Sequence, residues 1–199
     1  MSGSYQQDYR FSELDPEILL TPFQVETKWH VITGAPSCGK TTLIDMLAEK
    51  GFPILPEIAH QYIEDALALG QTYQDIFRDR FSFQKVLIEL QIKAEKELIP
   101  QKVTFLDRAL PDSLSFNRFT GMNPNQLLRD CFYRRYASVF ILDPLPYQID
   151  GIRDIDAPHA AFLDEWLNRD YRSLGYDVIK VPVLSPQERM EYILERALD

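Results

Sequence analysis

The octapeptide GAPSCGKT, residues 34–41, puts two glycines ahead of a lysine and a threonine at the spacing of a phosphate-binding turn. Glycine lets backbone N–H groups close around an anion that a side chain would hold off. Lys40 adds a mobile positive charge for the outermost phosphates, and the Thr41 hydroxyl is a ligand for Mg²⁺. Gly34, Ala35, Pro36, Ser37, Cys38, Gly39, Lys40, Thr41 and Thr42 are therefore the expected nucleotide-binding residues. Cys38 sits inside the turn, where a thiol is a spectator unless the helix N-terminus behind it lowers its pKa enough for redox chemistry.

Three further residues have the chemistry to complete such a site. Asp107 ends the apolar run VTFL, where a carboxylate reaches Mg²⁺ directly or through water. The residue after it is Arg108, whereas water-activating ATPases of the AAA+ type carry Glu there. The hydrolytic base is thus absent at that position, and the GTPase signature Asn-Lys-x-Asp is absent as well. A structural ion pair at a strand end fits Asp107 and Arg108 too. Glu57 follows Pro56 at the end of a short apolar run and is placed to accept a proton from an attacking hydroxyl. It fits equally an acidic first-turn residue favoured by a helix dipole. Arg153, in the segment DGIR, suits a closing loop that neutralises charge on a transferred phosphoryl group, or a solvated charge run between Asp150 and Asp154. Arg189 is expected to pair locally with Glu188 or Glu191. Tyr62, Phe81 and Gln84 are candidate lining residues of an acceptor pocket between the helices that start near residues 57 and 75.

The elements that position these residues follow from periodicity. Short β-prone runs at 29–33, 52–55, 103–106, 138–142 and 177–183 alternate with helical patterns at 42–50, 57–69, 75–99, 112–119, 125–136, 158–174 and 186–198. The 75–99 helix carries a stripe of Phe83, Val86, Leu87, Leu90, Ala94 and Leu98, and Pro100 stops it. Ser185-Pro186-Gln187-Glu188 is a capping box with proline at the first helical position. Such alternation predicts an α/β fold of three layers around a five-stranded parallel sheet, with ligands at the C-terminal strand ends and a lid loop at 144–157. Residues 1–28 are polar and irregular and read as an N-terminal extension, mobile or draped on the domain at 29–199.

Bulk properties narrow the partners. The 199 residues are 45% hydrophobic, enough for one domain with a sizeable core. A net charge of −9 opposes polynucleotide backbones, so no nucleic-acid partner is expected even though Arg129, Arg134 and Arg135 cluster. No apolar run approaches a membrane span and no signal peptide opens the chain, so no membrane partner is expected. With only Cys38 and Cys131, the expected compartment is cytoplasmic.

Taken together, GAPSCGKT (34–41), PEIAHQYI (56–63), FLDR (105–108), DGIR (150–153) and VIKVPVLSPQERMEYI (178–193) resemble the AAA-domain-related P-loop kinases typified by ribosylnicotinamide kinase domains. The chain is more distantly similar to deoxynucleoside and thymidylate kinases. The resemblance covers about 29–198 and implies a nucleoside-kinase-like P-loop NTPase fold, ATP and Mg²⁺. It places the acceptor-side acid at Glu57, the Asp-Arg pair at Asp107 and Arg108, and the lid arginine at Arg153. His60 departs from it, standing where the family often has arginine. The expected activity is ATP-dependent phosphoryl transfer to a hydroxyl of a nucleoside-like or other small metabolite. Lys40, Glu57, Asp107 and Arg153 are catalytic in this reading, Thr41 and Asp107 bind the metal, and Arg108, Tyr62 and Gln84 bind the acceptor. A nucleotide-sensing module that regulates a protein partner without phosphotransfer is the competing expectation.

Overall fold

In the computed structural model, residues 8–145 and 157–198 are described. In chain order their elements are α1 (Pro16–Leu19), β1 (Val25–Glu26), β2 (Trp29–Thr33), α2 (Lys40–Glu49), β3 (Ile54–Leu55), α3 (Ile58–Ala68), α4 (Tyr73–Ile76), α5 (Arg80–Glu97), β4 (Thr104–Asp107), α6 (Asp112–Thr120), β5 (Arg134–Arg135), β6 (Ser138–Leu142), α7 (Ala157–Ser173), β7 (Val178–Val181) and α8 (Pro186–Ala197). Five strands form one parallel sheet in the order β3-β4-β2-β6-β7, and β1 and β5 form a separate parallel pair.

Alternation along the strands divides the core in two. Trp29, Val31, Leu106, Val139 and Ile141 face one way, into a cluster with Leu110, Leu114, Leu167 and Tyr171. Ile32, Phe105, Phe140 and Leu142 face the other, against Leu43, Leu47, Met190 and Ile193 of α2 and α8. Strands buried on both faces are what a three-layer parallel sheet requires. The register aligns Ile32 with Asp107, so the C-terminal ends of β2 and β4 finish side by side.

Two helical expectations are corrected. The 75–99 helix is broken into α4 and α5, because the Asp79 side chain accepts the N–H groups of Phe81 and Ser82 and starts a new helix. The expected apolar stripe is not the most buried face of α5, where Gln84, Gln91 and Glu95 are buried instead. The expected helix at 125–136 is two short 3-10 turns, Pro124–Gln126 and Asp130–Phe132, followed by β5. Its backbone bonds go to 24–27: Gln24 and Val25 donate to the Phe132 and Tyr133 carbonyls, and Thr27 donates to that of Arg135. Tertiary pairing overrides local propensity there.

Residues 8–28 are packed onto the domain. Leu14 and Ile18 belong to the core, Phe11 lies against Phe162 and Trp166, and Phe23 against Phe132 and Tyr176. Arg118, almost fully buried, donates to the Ser12 carbonyl, pairs with Asp170 at 3.0 Å and lies 4.0 Å over the Trp166 ring. No helix among the described residues is long and apolar enough to cross a membrane.

Candidate active site

The phosphate turn runs from the end of β2 into α2, and its backbone requires glycine at both marked positions. Gly34 has φ +146°, and a Cβ there would lie 2.9 Å from Cys38 Sγ and 3.0 Å from the Leu142 carbonyl oxygen. Gly39 is left-handed at φ +88° and caps α2 without any side-chain hydrogen bond, so the first N–H groups of the helix are free to meet an anion. Ser37 also has a positive φ of 64°, a strained conformation for a residue with a side chain. Lys40 is buried, its Nζ lying 3.4 Å from the carbonyl oxygens of Gly34 and Ala35 and 3.7 Å from Cys38 Sγ. These are long contacts that a phosphate oxygen would displace. Thr41 and Thr42, on the next turn, are exposed.

Asp107 stands at the end of β4, and its Oδ1 is buried without a hydrogen-bond partner. Burial, with the nearby Glu57 carboxylate, pushes Asp107 up to about 6 against the pull of Lys40 and Arg108. An orphaned carboxylate oxygen lacks the cation or water that would satisfy it, and hydrated Mg²⁺ fits that need. Among the described residues no three acidic, His or Cys side chains are grouped so as to hold a metal ion by themselves. A nucleotide-borne metal requires none, because phosphate oxygens supply the remaining ligands.

Glu57 and Arg108 meet in front of the turn. Arg108 Nε donates to Glu57 Oε1 at 3.0 Å. Nη1 donates to Thr33 Oγ1, the Gly34 carbonyl and Asp112 Oδ1 at 3.1–3.2 Å. Arg108 takes this position with φ +68°. Burial works against its charge, yet Glu57, Asp112 and Asp107 hold it above the ordinary guanidinium range. Glu57 is the N-cap residue of α3 but makes no capping bond, so its side chain serves the site and not the helix. Burial pushes its carboxyl up, but Arg108 and Lys40 outweigh this and leave it below the usual range, ionised at neutral pH. Beside the pair opens a cleft of about 120 Å³ between α3, α5 and α6, where Gln84, Gln91, Phe83, Phe116 and Ser113 join Glu57 and Arg108.

Lys40, Glu57, Asp107, Arg108 and Gln84 thus gather at one end of the sheet, round the phosphate turn and its neighbouring cleft. Tyr62 does not line this cleft. It lies on an outer groove with Val86 and Leu90, its ring 5.8 Å from that of Phe83. Phe81 is 38% exposed and also stands outside the cleft. His60 is exposed, 3.6 Å from Glu64. Arg153, with its DGIR segment, lies outside the described residues.

Four contributors were not foreseen. Asp112 accepts from Thr33 Oγ1, Arg108, the Ala109 N–H and Tyr171 Oη, fixing Arg108 from below. Gln91 reaches the cleft from the supposedly polar face of α5. Thr33 and Tyr171 carried no motif. The expectation for Arg189 is corrected. Arg189 makes no ion pair with Glu188 or Glu191 but is buried, its Nε donating to the Pro182 carbonyl at 2.8 Å, Nη1 to that of Cys38 at 2.7 Å and Nη2 to that of Asp143 at 3.0 Å. Cys38 and Asp143 lie far from it in sequence, and no local pattern announces them.

Solved structures share this fold. The NadR protein in complex with NR superposes with a TM-score of 0.64 at 19% identity, over 87% of this chain and 52% of that one. Deoxyadenosine kinase from M. mycoides superposes with a TM-score of 0.57 at 19% identity, over 84% of this chain and 97% of that one. The chain therefore spans about half the length of NadR and nearly the whole of the deoxyadenosine kinase fold. No curated protein sequence matches the chain significantly. The AAA-domain family model matches residues 29–189, from the first strand of the large sheet to the arginine that braces the phosphate turn, and the chain belongs to that family.

Proposed function

We propose that the protein is an ATP-dependent kinase that transfers the γ-phosphoryl group to a hydroxyl of a nucleoside-like or other small metabolite. The observation that carries the reading is the ion pair Glu57–Arg108, which borders the acceptor cleft on one side and feels the Lys40 charge on the other. A carboxylate shared by a phosphate turn and a neighbouring cleft is where an alcohol must lose its proton as it attacks.

Thr41 and Asp107 are the residues to hold Mg²⁺, which supplies charge neutralisation on the phosphates when bound. The turn N–H groups and Lys40 orient the triphosphate. Arg108 fixes Glu57 through Oε1, leaving Oε2 without a hydrogen bond among the described residues and available to the acceptor hydroxyl. Glu57 takes that proton as the acceptor oxygen bonds to the γ-phosphorus and the bond from that phosphorus to the β,γ-bridging oxygen breaks, releasing ADP. Arg153 fits the lid role. Gln84 and Arg108 contribute hydrogen-bonding edges to the acceptor cleft, and Tyr62 reaches an acceptor only if that acceptor extends beyond it.

The test is a labelled-ATP screen of the purified chain against hydroxyl-bearing metabolites, beginning with nucleosides and ribosylnicotinamide. Acceptor-dependent transfer well above acceptor-free turnover is expected. Rapid ATP consumption that no acceptor changes refutes the proposal. Tight nucleotide binding without transfer to any acceptor favours the sensing module instead.

A further inference from the structure

One turn beyond Gln91 on α5 the chain encloses a second cleft, of about 180 Å³, bounded by Glu95, Lys96, Asp130, Tyr133, Arg134 and Tyr136. Arg134 is anomalous within it. Its guanidinium lies 4.8 Å over the Tyr133 ring and 5.4 Å over that of Trp29. Its Nε is buried without a hydrogen-bond partner. Arg108, Arg118 and Arg189 all spend their donors on carboxylates or carbonyls. The Arg134 side chain makes no such bond among the described residues.

The nearby acids do not satisfy it. Glu95 is fully buried, but its oxygens accept from the Gln91 amide at 3.0 Å, the Leu110 N–H at 2.9 Å and Tyr136 Oη at 2.9 Å. It acts on Arg134 only through space. Asp130 lines the cleft without pairing to Arg134. A half-buried guanidinium lying over two aromatic rings, its buried Nε unspent and a cavity beside it, suits an oxyanion that accepts two parallel N–H bonds.

We propose that this cleft is a second ligand site, which takes a small molecule bearing a carboxylate or phosphate group, bound on the Arg134 fork with Lys96 at the rim. The aromatic faces of Tyr133 and Trp29 flank the fork, and the cleft suits a small occupant of the size of phosphate or a short dicarboxylate. The site is separate from the phosphate turn, and the proposal stands whether or not the chain is a kinase.

Calorimetric titration of the full-length Lys40→Ala protein with inorganic phosphate, and separately with succinate, tests it. In that protein the phosphate turn has lost its own cation. Saturable binding of at least one anion is expected, weakened about tenfold or more by adding Arg134→Gln. Binding of phosphate alone identifies a phosphorylated ligand, and binding of succinate alone a carboxylate. No saturable binding of either, or binding that Arg134→Gln leaves unchanged, overturns the proposal. If Arg134→Gln fails to fold, as judged by circular dichroism, the exposed Lys96→Gln change replaces it. A loss of about threefold is then expected, and an unchanged affinity overturns the proposal.

Discussion

Glu57 and Arg108 depend on one another. Removing the Glu57 charge while keeping its shape, in Glu57→Gln, leaves Arg108 still held by Asp112 and Thr33. Nucleotide binding should therefore survive, while transfer to an acceptor falls by about 10²–10⁴. Titration of nucleotide into the variant, alongside turnover with the acceptor, checks both halves. Gly34→Ala acts differently. Its Cβ would meet the Leu142 carbonyl, which is backbone and cannot swing away, at a φ that L-residues rarely adopt. The expected result is a folded protein that has lost the rise in melting temperature on adding MgATP; wild type should gain about 2.7 kcal/mol at a hundredfold excess over Kd. An undiminished rise in Gly34→Ala contradicts the close approach. At this scale the phosphate turn was legible from sequence because all its residues are consecutive. Asp112, Thr33 and Tyr171 were not, because their meeting depends on where α6 and α7 land on the sheet.

Among the elements, α6 and α7 are joined by a pair that periodicity does not reveal. Arg118 and Asp170 are both about 1% exposed, and Ser115 is a second polar partner of Asp170, donating at 3.0 Å. Burial raises the Asp170 carboxyl despite Arg118. Breaking such a pair leaves an uncompensated buried charge, so Asp170→Ala should lose about 3–5 kcal/mol of unfolding free energy. Denaturant melts measure it, and a loss below about 1 kcal/mol would mean that water reaches Arg118 readily. The five strands were legible because buried parallel strands are short continuous apolar runs. The face of α5 was not, because its most buried residues are Gln84, Gln91 and Glu95, which an apolar-stripe reading discards. The helix expected at 125–136 failed because its backbone partners lie at 24–27, outside any local window.

For the molecule as a whole, His30 gives stability a pH dependence separate from the site. Burial on the central strand β2 pulls its pKa down from 6.5 to about 4. The unfolded chain thus takes a proton that the folded chain refuses. The His30 contribution is complete above pH 6.5 and is lost as pH falls toward 4, at a rate of up to about 1.4 kcal/mol per pH unit. Comparing melts of wild type and His30→Asn across that interval should show a shallower slope in the variant; parallel slopes would show that His30 charges freely in the fold. The draped segment 8–28 acts at the same scale. The family match begins at residue 29, yet Leu14 and Ile18 are core residues.

The three carbonyls that grip Arg189 belong to the phosphate turn, the segment after β6 and the bend before α8. The segment after β6 is already tied to the end of β7 by the Asp143 N–H bond to the Val181 carbonyl at 2.9 Å, and Arg189 fastens the phosphate turn to both. Seating a ligand against Pro182 would tug on the Cys38 peptide, and filling the turn would stiffen the bend. Lysine, with one nitrogen for three distant oxygens, would let the turn wander from the other two.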